Sequence, residues 1–416
     1  QKMQISLIGC WHDDNRGDGA IIAGLINDLF KIEKRLDVHI FGMFSKNTDF
    51  LSHSFRHLMH LFPNINIHPS PIPSIYDPDL SVFGRFRRSI KLLIPSFVAP
   101  SGYSETMIQL LRSDLIISVG GYRLKSKRGG FIDLIRILFH SLPLLIAQRH
   151  QKIYVIDAQS IGPIRGRIHQ KLVRRVLNHA AMVGLREPLS IQIVQKLGVS
   201  APLRLVPDAA ISIVPQHSHR IAEFLANNGL KSDNFVVIAP RKWFFFNRFL
   251  YKNYIEQLRK FMESLDCPLV LVAHSLGPIP FENDRMVCYD LLKYVRKTRP
   301  ILAHDDWSSG ELAAFYGHAS ALVGVRFHSV LLSLVAGTPA IAIAYEGTKT
   351  QGIMSCFGLN NFVLDINKFR GEDLMIKFNE LLVDRPHIIA KIPDLIERMR
   401  EERLRFVREA LEIIRN

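Results

Sequence analysis

Gly324-Val325-Arg326-Phe327-His328-Ser329 is the stretch that decides the fold. Ala321-Leu322-Val323 before it reads as a short buried strand. The apolar run from Val330 to Ala336 after it reads as a buried helix. Gly337 and Pro339 end that helix, and Ala340 to Ala344 is the next strand. Arg326 and His328 therefore fall at a strand-to-helix turn, outside the carboxyl end of a strand, where open α/β sheets bind ligands. A helix starting there offers amide N–H groups and the positive end of its dipole to an anion. A guanidinium and an imidazole one residue apart on that turn make an anion site that can also move a proton.

Working outward, apolar runs alternate with amphipathic ones along most of the chain. Met3 to Ile8 is a first strand. A polar loop from Trp11 to Gly19 follows, and then a helix expected to begin near Ala20. That loop lacks both the three-glycine dinucleotide spacing and the P-loop lysine. It reads either as a close-approach ligand loop or as a turn with Asp18 as helix N-cap. Further strands are expected at His39 to Met43, Leu115 to Val119, Lys152 to Asp157, Ala181 to Leu185 and Leu203 to Val206. After an irregular polar stretch from Pro215 to Asn234, more follow at Phe235 to Ala239 and Pro268 to Ala273, and the stretch Ile301 to Asp305 comes after them.

Such alternation implies parallel sheets. The expected fold is α/β and GT-B-like: two doubly wound Rossmann-type domains facing across a cleft. The expected boundaries are 1–215, 234–392 and a C-terminal helix over 393–416. The polar residues that follow strands are Asn15, Asp18, Gly120, Gln159 and Arg186 in the first half. In the second half they are Arg241, His274, Arg326, His328 and Lys349. Both sets are expected to line the cleft.

At 416 residues the chain is too long for one ordinary core. Hydrophobic residues make up 48%, which excludes disorder. Lys and Arg number 53 against 38 Asp and Glu, a net charge of +15 that favours an acidic partner. The basic residues are not interleaved with aromatics on one motif, so nucleic acid is not expected. The basic, apolar segment Phe83 to Ile94 reads equally as a helix at an anionic membrane surface or as one with its apolar side on the core. Phe131 to Ala147 is apolar but reads as too short and too charged to span a bilayer. Cys10, Cys267, Cys288 and Cys356 stand apart, with no metal-ligand or disulfide pattern, and no signal-peptide pattern opens the chain. The expectation is a cytoplasmic protein, peripheral at most to the inner face of the membrane, with no resident metal.

An ordered set of short motifs resembles the polysaccharide pyruvyl transferase family. In the first half these are Arg16-Gly17-Asp18, Gly120-Gly121, Gln159-Ser160-Ile161-Gly162-Pro163, Arg186-Glu187-Pro188-Leu189-Ser190 and Pro207-Asp208. In the second half they are His274, Gly277-Pro278, Asn283-Asp284, Gly324 to His328, Gly337-Thr338-Pro339, and Tyr345 with Lys349. The family often carries a third glycine where this chain has Tyr122.

The resemblance implies phosphoenolpyruvate as donor co-substrate, with no other cofactor. It implies a pyruvate ketal across two hydroxyls of a saccharide acceptor, often lipid-linked, in exopolysaccharide, capsule or cell-wall synthesis. On this reading Arg326 clamps the donor, and His328 contacts phosphate or supplies the proton. Asp18 orients or deprotonates the acceptor hydroxyl, and Asn15 helps bind it. Arg186, Arg241 and Lys349 add positive charge, and Gly17, Gly120, Gly121, Gln159 and His274 line the substrate. Plainer readings stand beside these: His274 capping a strand end, Lys349 solvated, and Arg241 stacked on the aromatic run from Trp243. The alternative function is a glycosyltransferase using a nucleotide sugar.

Overall fold

A computed structural model of the chain describes residues 2–45, 48–77, 79–92, 102–244, 247–303, 305–345 and 347–415. The side chains of residues 48, 82 and 347–349 lie outside that description. Two compact units emerge. One comprises 1–13, 21–209 and 400–416, the other 14–20 and 210–399.

The first unit is built on a seven-stranded sheet of β1 (Met3–Cys10), β2 (Leu36–Gly42), β3 (Asn66–His68), β4 (Leu115–Ser118), β5 (Tyr154–Gln159), β6 (Met182–Leu185) and β7 (Leu203–Leu205). Their order is β3-β2-β1-β4-β5-β6-β7, and every pairing is parallel. The central strands β4, β5 and β6 are fully buried runs without alternation, as a sheet covered on both faces requires, whereas the edge strands β3 and β7 are partly exposed. The switch in winding direction falls between β1 and β4. Gly120 and Gly121 sit there, just past the end of β4.

The second unit holds a six-stranded parallel sheet of β8 (Val236–Ala239), β9 (Leu269–Val272), β10 (Ile301–Ala303), β11 (Ala321–Gly324), β12 (Ala340–Ala344) and β13 (Val363–Asp365). The order is β10-β9-β8-β11-β12-β13, with the switch point between β8 and β11. Gly324 pairs with Ala239 across that switch. Arg326 and Arg241, each two residues further on, thus leave neighbouring strands at the same edge.

Several expected elements shift. The first helix runs Arg16–Ile32, so it starts four residues before Ala20, and Asp18 lies inside its first turn rather than at the N-cap. Residues 14–20 belong to the second unit and 400–416 to the first, whereas the expected domains were continuous. The expected tail helix is the end of a longer one, Gly371–Ile413, which runs through Pro386 and Pro393. The irregular polar stretch after Pro215 holds a helix, His219–Asn227. The helix Phe131–Arg149 is long and apolar enough by composition to cross a membrane. What sets it apart is burial, not charge: Ile135, Ile137, Phe139, Leu142, Leu144 and Ile146 enter the core of the first unit.

Candidate functional site

In the second unit the strand ends deliver a dense polar group. Arg326 precedes the helix Phe327–Val335 as its N-cap, with β-region backbone (φ −79°, ψ 130°). Ser329 Oγ donates to the Arg326 carbonyl at 2.6 Å, which closes the turn. Gly324 is required by space: a Cβ there would sit 2.5 Å from Ser329 Oγ.

The Arg326 side chain is buried. Its Nε donates to Asp284 Oδ2 at 2.5 Å, and its Nη2 donates to Asp284 Oδ1 at 2.9 Å and to the Glu282 carbonyl at 3.0 Å. Burial alone would lower its pKa, but the Asp284 carboxylate outweighs that and raises it, so the guanidinium is a fixed cation. Asp284 is itself held by the Ser275 amide at 3.0 Å.

His274, just past β9, is fully buried. Its Nδ1 lies 3.0 Å from the Tyr316 hydroxyl. Burial first, then the charges of Arg326, His328 and Arg16, push its pKa well below the usual imidazole range, so the ring is neutral. The Tyr316 hydroxyl is pushed well up, by burial first and then by Asp284, and keeps its proton. The Nε2 of His274 is buried and has no hydrogen-bond partner among the described residues.

Arg241, past β8, is half-buried. Its guanidinium lies 4.1 Å from the Tyr345 ring centroid and 5.2 Å from that of Trp243, two cation–π contacts on a pair of rings that themselves lie 4.7 Å apart. Stacking is therefore real, though Tyr345 is the nearer ring. The Nε of Arg241 is also buried without a partner among the described residues.

Residues 14–20 complete this group. Asn15 forms an antiparallel bridge with Ser275, and the Leu276 amide donates to the Asp14 carbonyl at 2.8 Å. Arg16 is buried. Its Nε donates to the Trp307 carbonyl at 2.8 Å, its Nη1 to the Asp14 carbonyl at 3.0 Å and its Nη2 to Asp306 at 2.6 Å. Ser309 Oγ donates to the Arg16 carbonyl at 2.6 Å. Gly17 lies against the half-buried imidazole of His328: a Cβ on Gly17 would be 2.3 Å from its Nδ1. The Asp18 side chain, in the first turn of the helix, is half-buried. The sequence missed Arg16 and Asp284 as members, although both lie in the motifs it singled out. Lys349 is in the helix Gly347–Cys356, and its side chain lies outside the described residues.

The first-unit candidates form a different arrangement. Gly121 (φ 145°) bridges to Gln159, and the Ser160 amide donates to the Gly121 carbonyl at 2.8 Å. A Cβ on Gly120 would press on the Ala158 and Asp157 carbonyls at 3.2 and 3.3 Å. Gln159 donates to Ser118 Oγ at 2.8 Å and to the Val119 carbonyl at 3.2 Å. Where a third glycine was expected, the Tyr122 hydroxyl donates to the Gly162 carbonyl at 2.5 Å and ties two loops together.

Arg186 is buried. Its Nε donates to Ser160 Oγ at 2.6 Å, and its Nη1 pairs with Asp208. Glu187 lies 3.6 Å from the Arg186 Nε, accepts from Ser160 at 2.9 Å, and also takes the Ser190 hydroxyl. The motifs around Ser160, Arg186 and Asp208 are thus one internally satisfied network that fixes three loops. Arg123, which the sequence reading passed over, donates to the Val119 and Gly120 carbonyls at 2.5 and 2.8 Å and lies over Gly9 and Gly121.

Residues 15–347 match the family model for polysaccharide pyruvyl transferase. The chain belongs to the polysaccharide pyruvyl transferase family. Within that match lie both the Gly17–His328 contact and the Arg326–Asp284 pair. Among curated relatives of this pyruvyl transferase is the amylovoran biosynthesis protein AmsJ of Erwinia amylovora. It is 24% identical, and the alignment covers 96% of each chain. Among solved structures, a putative UDP-N-acetylglucosamine 2-epimerase from Listeria monocytogenes aligns with a TM-score of 0.57 and 14% identity, over 94% of this chain and 90% of that one. HepE from Anabaena, in complex with UDP and glucose, aligns with a TM-score of 0.55 and 12% identity, over 99% and 98%. At such identities the likeness is one of fold: the pyruvyl transferase has the GT-B-type pairing of two Rossmann-like sheets.

Proposed function

We propose that this pyruvyl transferase takes its pyruvyl group from phosphoenolpyruvate and sets it as a ketal across two hydroxyls of a sugar. The acceptor belongs to an exopolysaccharide, capsule or cell-wall precursor, a reading supported by the biosynthetic relative. One observation carries the donor assignment. At the carboxyl ends of adjacent strands, the buried Nε of Arg241 and Nε2 of His274 lack partners among the described residues, beside the fixed cation of Arg326. With the Tyr316 hydroxyl donating to His274 Nδ1, Nε2 carries the ring proton; buried N–H donors are normally satisfied, and a dianionic phosphate with a neighbouring carboxylate supplies acceptors for them.

In the proposed reaction His328 delivers a proton to the methylene carbon of phosphoenolpyruvate, and positive charge develops at the carbon bearing the phosphate ester. A sugar hydroxyl oxygen bonds to that carbon and gives its proton to Asp18, with Asn15 holding the acceptor. The second hydroxyl oxygen then bonds to the same carbon as the carbon–oxygen bond to phosphate breaks. Its proton leaves with the phosphate. Arg326 and Arg241 hold the donor's negative groups throughout, and Asp284 keeps the Arg326 fork in place. The scheme calls on no cofactor or metal, and a cytoplasmic supply of phosphoenolpyruvate suits it.

The test is phosphate release from phosphoenolpyruvate on adding glycan acceptor, with mass spectrometry of the glycan for one ketal-linked pyruvate. Both signals are expected from the wild-type chain and neither from His328→Ala. A rival use of nucleotide sugars is suggested by the UDP-bound fold relative. Glycan extension from a UDP-sugar, with no ketal formed, would establish that rival instead.

A further inference from the structure

The helix Val82–Leu92 turns its apolar side chains away from the protein. Phe83 is 75% exposed, Phe86 53% and Ile90 41%. At 3.6 residues per turn these three share one face. The opposite face points inward: Leu92 is buried, and Arg88 Nη1 donates to Ser45 Oγ at 3.0 Å and to the Ser74 carbonyl at 2.9 Å, and pairs with Asp77. This pinned arginine fixes the rotation of the helix, so the outward apolar face is a built feature.

A surface helix of a globular protein is ordinarily arranged the other way round. Single exposed apolar residues need no explanation, but an aligned set does. Exposed Arg87 borders the face, half-buried Lys91 follows it on the same side, and the helix contains no acidic residue. It packs against the helix Phe131–Arg149, whose first residues, Phe131 and Ile132, are 50% and 68% exposed and follow exposed Lys127 and Arg128.

We infer that this face of the first unit docks on an anionic lipid bilayer. Phe83, Phe86 and Ile90 enter the boundary between headgroups and acyl chains, and Arg87 and Lys91 meet lipid phosphates. The net charge of +15 adds attraction at longer range. Charge complementarity selects the bilayer over a second copy of the chain, because an isologous contact would set these cations against themselves. The inference stands apart from the donor assignment, since none of its residues belongs to the second unit.

The experiment is co-sedimentation of the full chain with phosphatidylcholine vesicles, with and without phosphatidylglycerol. Partition onto the anionic vesicles is expected to exceed that onto neutral ones by about tenfold or more. The triple variant Phe83→Ser, Phe86→Ser, Ile90→Ser is expected to lose about tenfold in partition with an unchanged melting temperature. Arg87→Ser with Lys91→Ser is expected to flatten the salt dependence. Vesicle binding by the triple variant equal to wild type, or equal binding to neutral and anionic vesicles, overturns the proposal. So does light scattering that shows a wild-type dimer becoming a monomer in the triple variant, because the face would then be a self-interface. Stabilisation by phosphoenolpyruvate, measured on the same variants, reports on the donor site separately.

Discussion

Gly17 and His328 make contact although they are far apart in the sequence, and the contact leaves no room for a methyl group. In a helix interior alanine is normally favoured over glycine by about 1 kcal/mol. Here the added methyl would press on His328 as far back as its Cβ, so Gly17→Ala is expected to cost about 1–3 kcal/mol of stability and, by displacing the imidazole, to cut turnover by about a hundredfold. A steady-state assay beside a thermal melt checks both halves. Arg326 behaves differently. Removing it strands a fully buried Asp284 carboxylate, so Arg326→Ala is expected to cost about 3–5 kcal/mol of stability, read by urea titration. Loss of activity in that variant therefore does not isolate chemistry from folding, and His328 is the cleaner probe.

His68 offers a test of electrostatics alone. Burial first, then His39, lowers its pKa from 6.5 to about 4. The unfolded chain takes up this proton at higher pH than the folded one, so the site favours unfolding as pH falls from about 6.5 to about 4. His68→Asn is expected to lose less melting temperature than wild type over that interval. Arg326 and His328 were legible in the sequence because an apolar strand and helix bracket them. Asp284, the partner of Arg326, was not, because an ion pair across 42 residues leaves no local pattern.

Among the elements, strands were the easiest to read. Buried parallel strands such as Leu115–Ser118 and Ala340–Ala344 are apolar throughout and end in polar or glycine residues. Helix starts were harder. Arg16–Ile32 begins inside what reads as a polar loop, since its first turn is held by tertiary contacts from Trp307 and Ser309 that no propensity reveals. The terminal helix shows the same principle. From the sequence it reads as a charged, amphipathic helix with nothing to mark which charge goes inside; Arg403 is fully buried, donates to Asp28 at 3.0 Å and pairs with Asp157. Burial acts against that arginine, and the two aspartates outweigh it and keep it charged. Arg403→Met leaves two buried carboxylates without their cation and is expected to cost about 3–5 kcal/mol, measured as a shift in the urea midpoint.

At the scale of the whole molecule, alternating strands and helices announced two parallel sheets, and both sheets follow the expected doubly wound order. What the alternation could not announce is the exchange of residues 14–20 and 400–416 between the units. That exchange depends on side-chain pairings remote in sequence, such as Arg16 with Asp306 and Arg403 with Asp28. The exchange matters to the mechanism proposed above. It places Asn15, Gly17 and Asp18, which follow the first strand of the chain, in the same unit as His274, Arg326 and His328.

The central claim is that this unit binds phosphoenolpyruvate. A thermal-shift titration of the full chain with phosphoenolpyruvate, beside UDP-, GDP- and CMP-sugars, tests it most directly, because a ligand bound only by the native state raises its stability. The account predicts a saturable upward shift with phosphoenolpyruvate alone, weakened in a folded His328→Ala variant. A shift with a nucleotide sugar and none with phosphoenolpyruvate would contradict it.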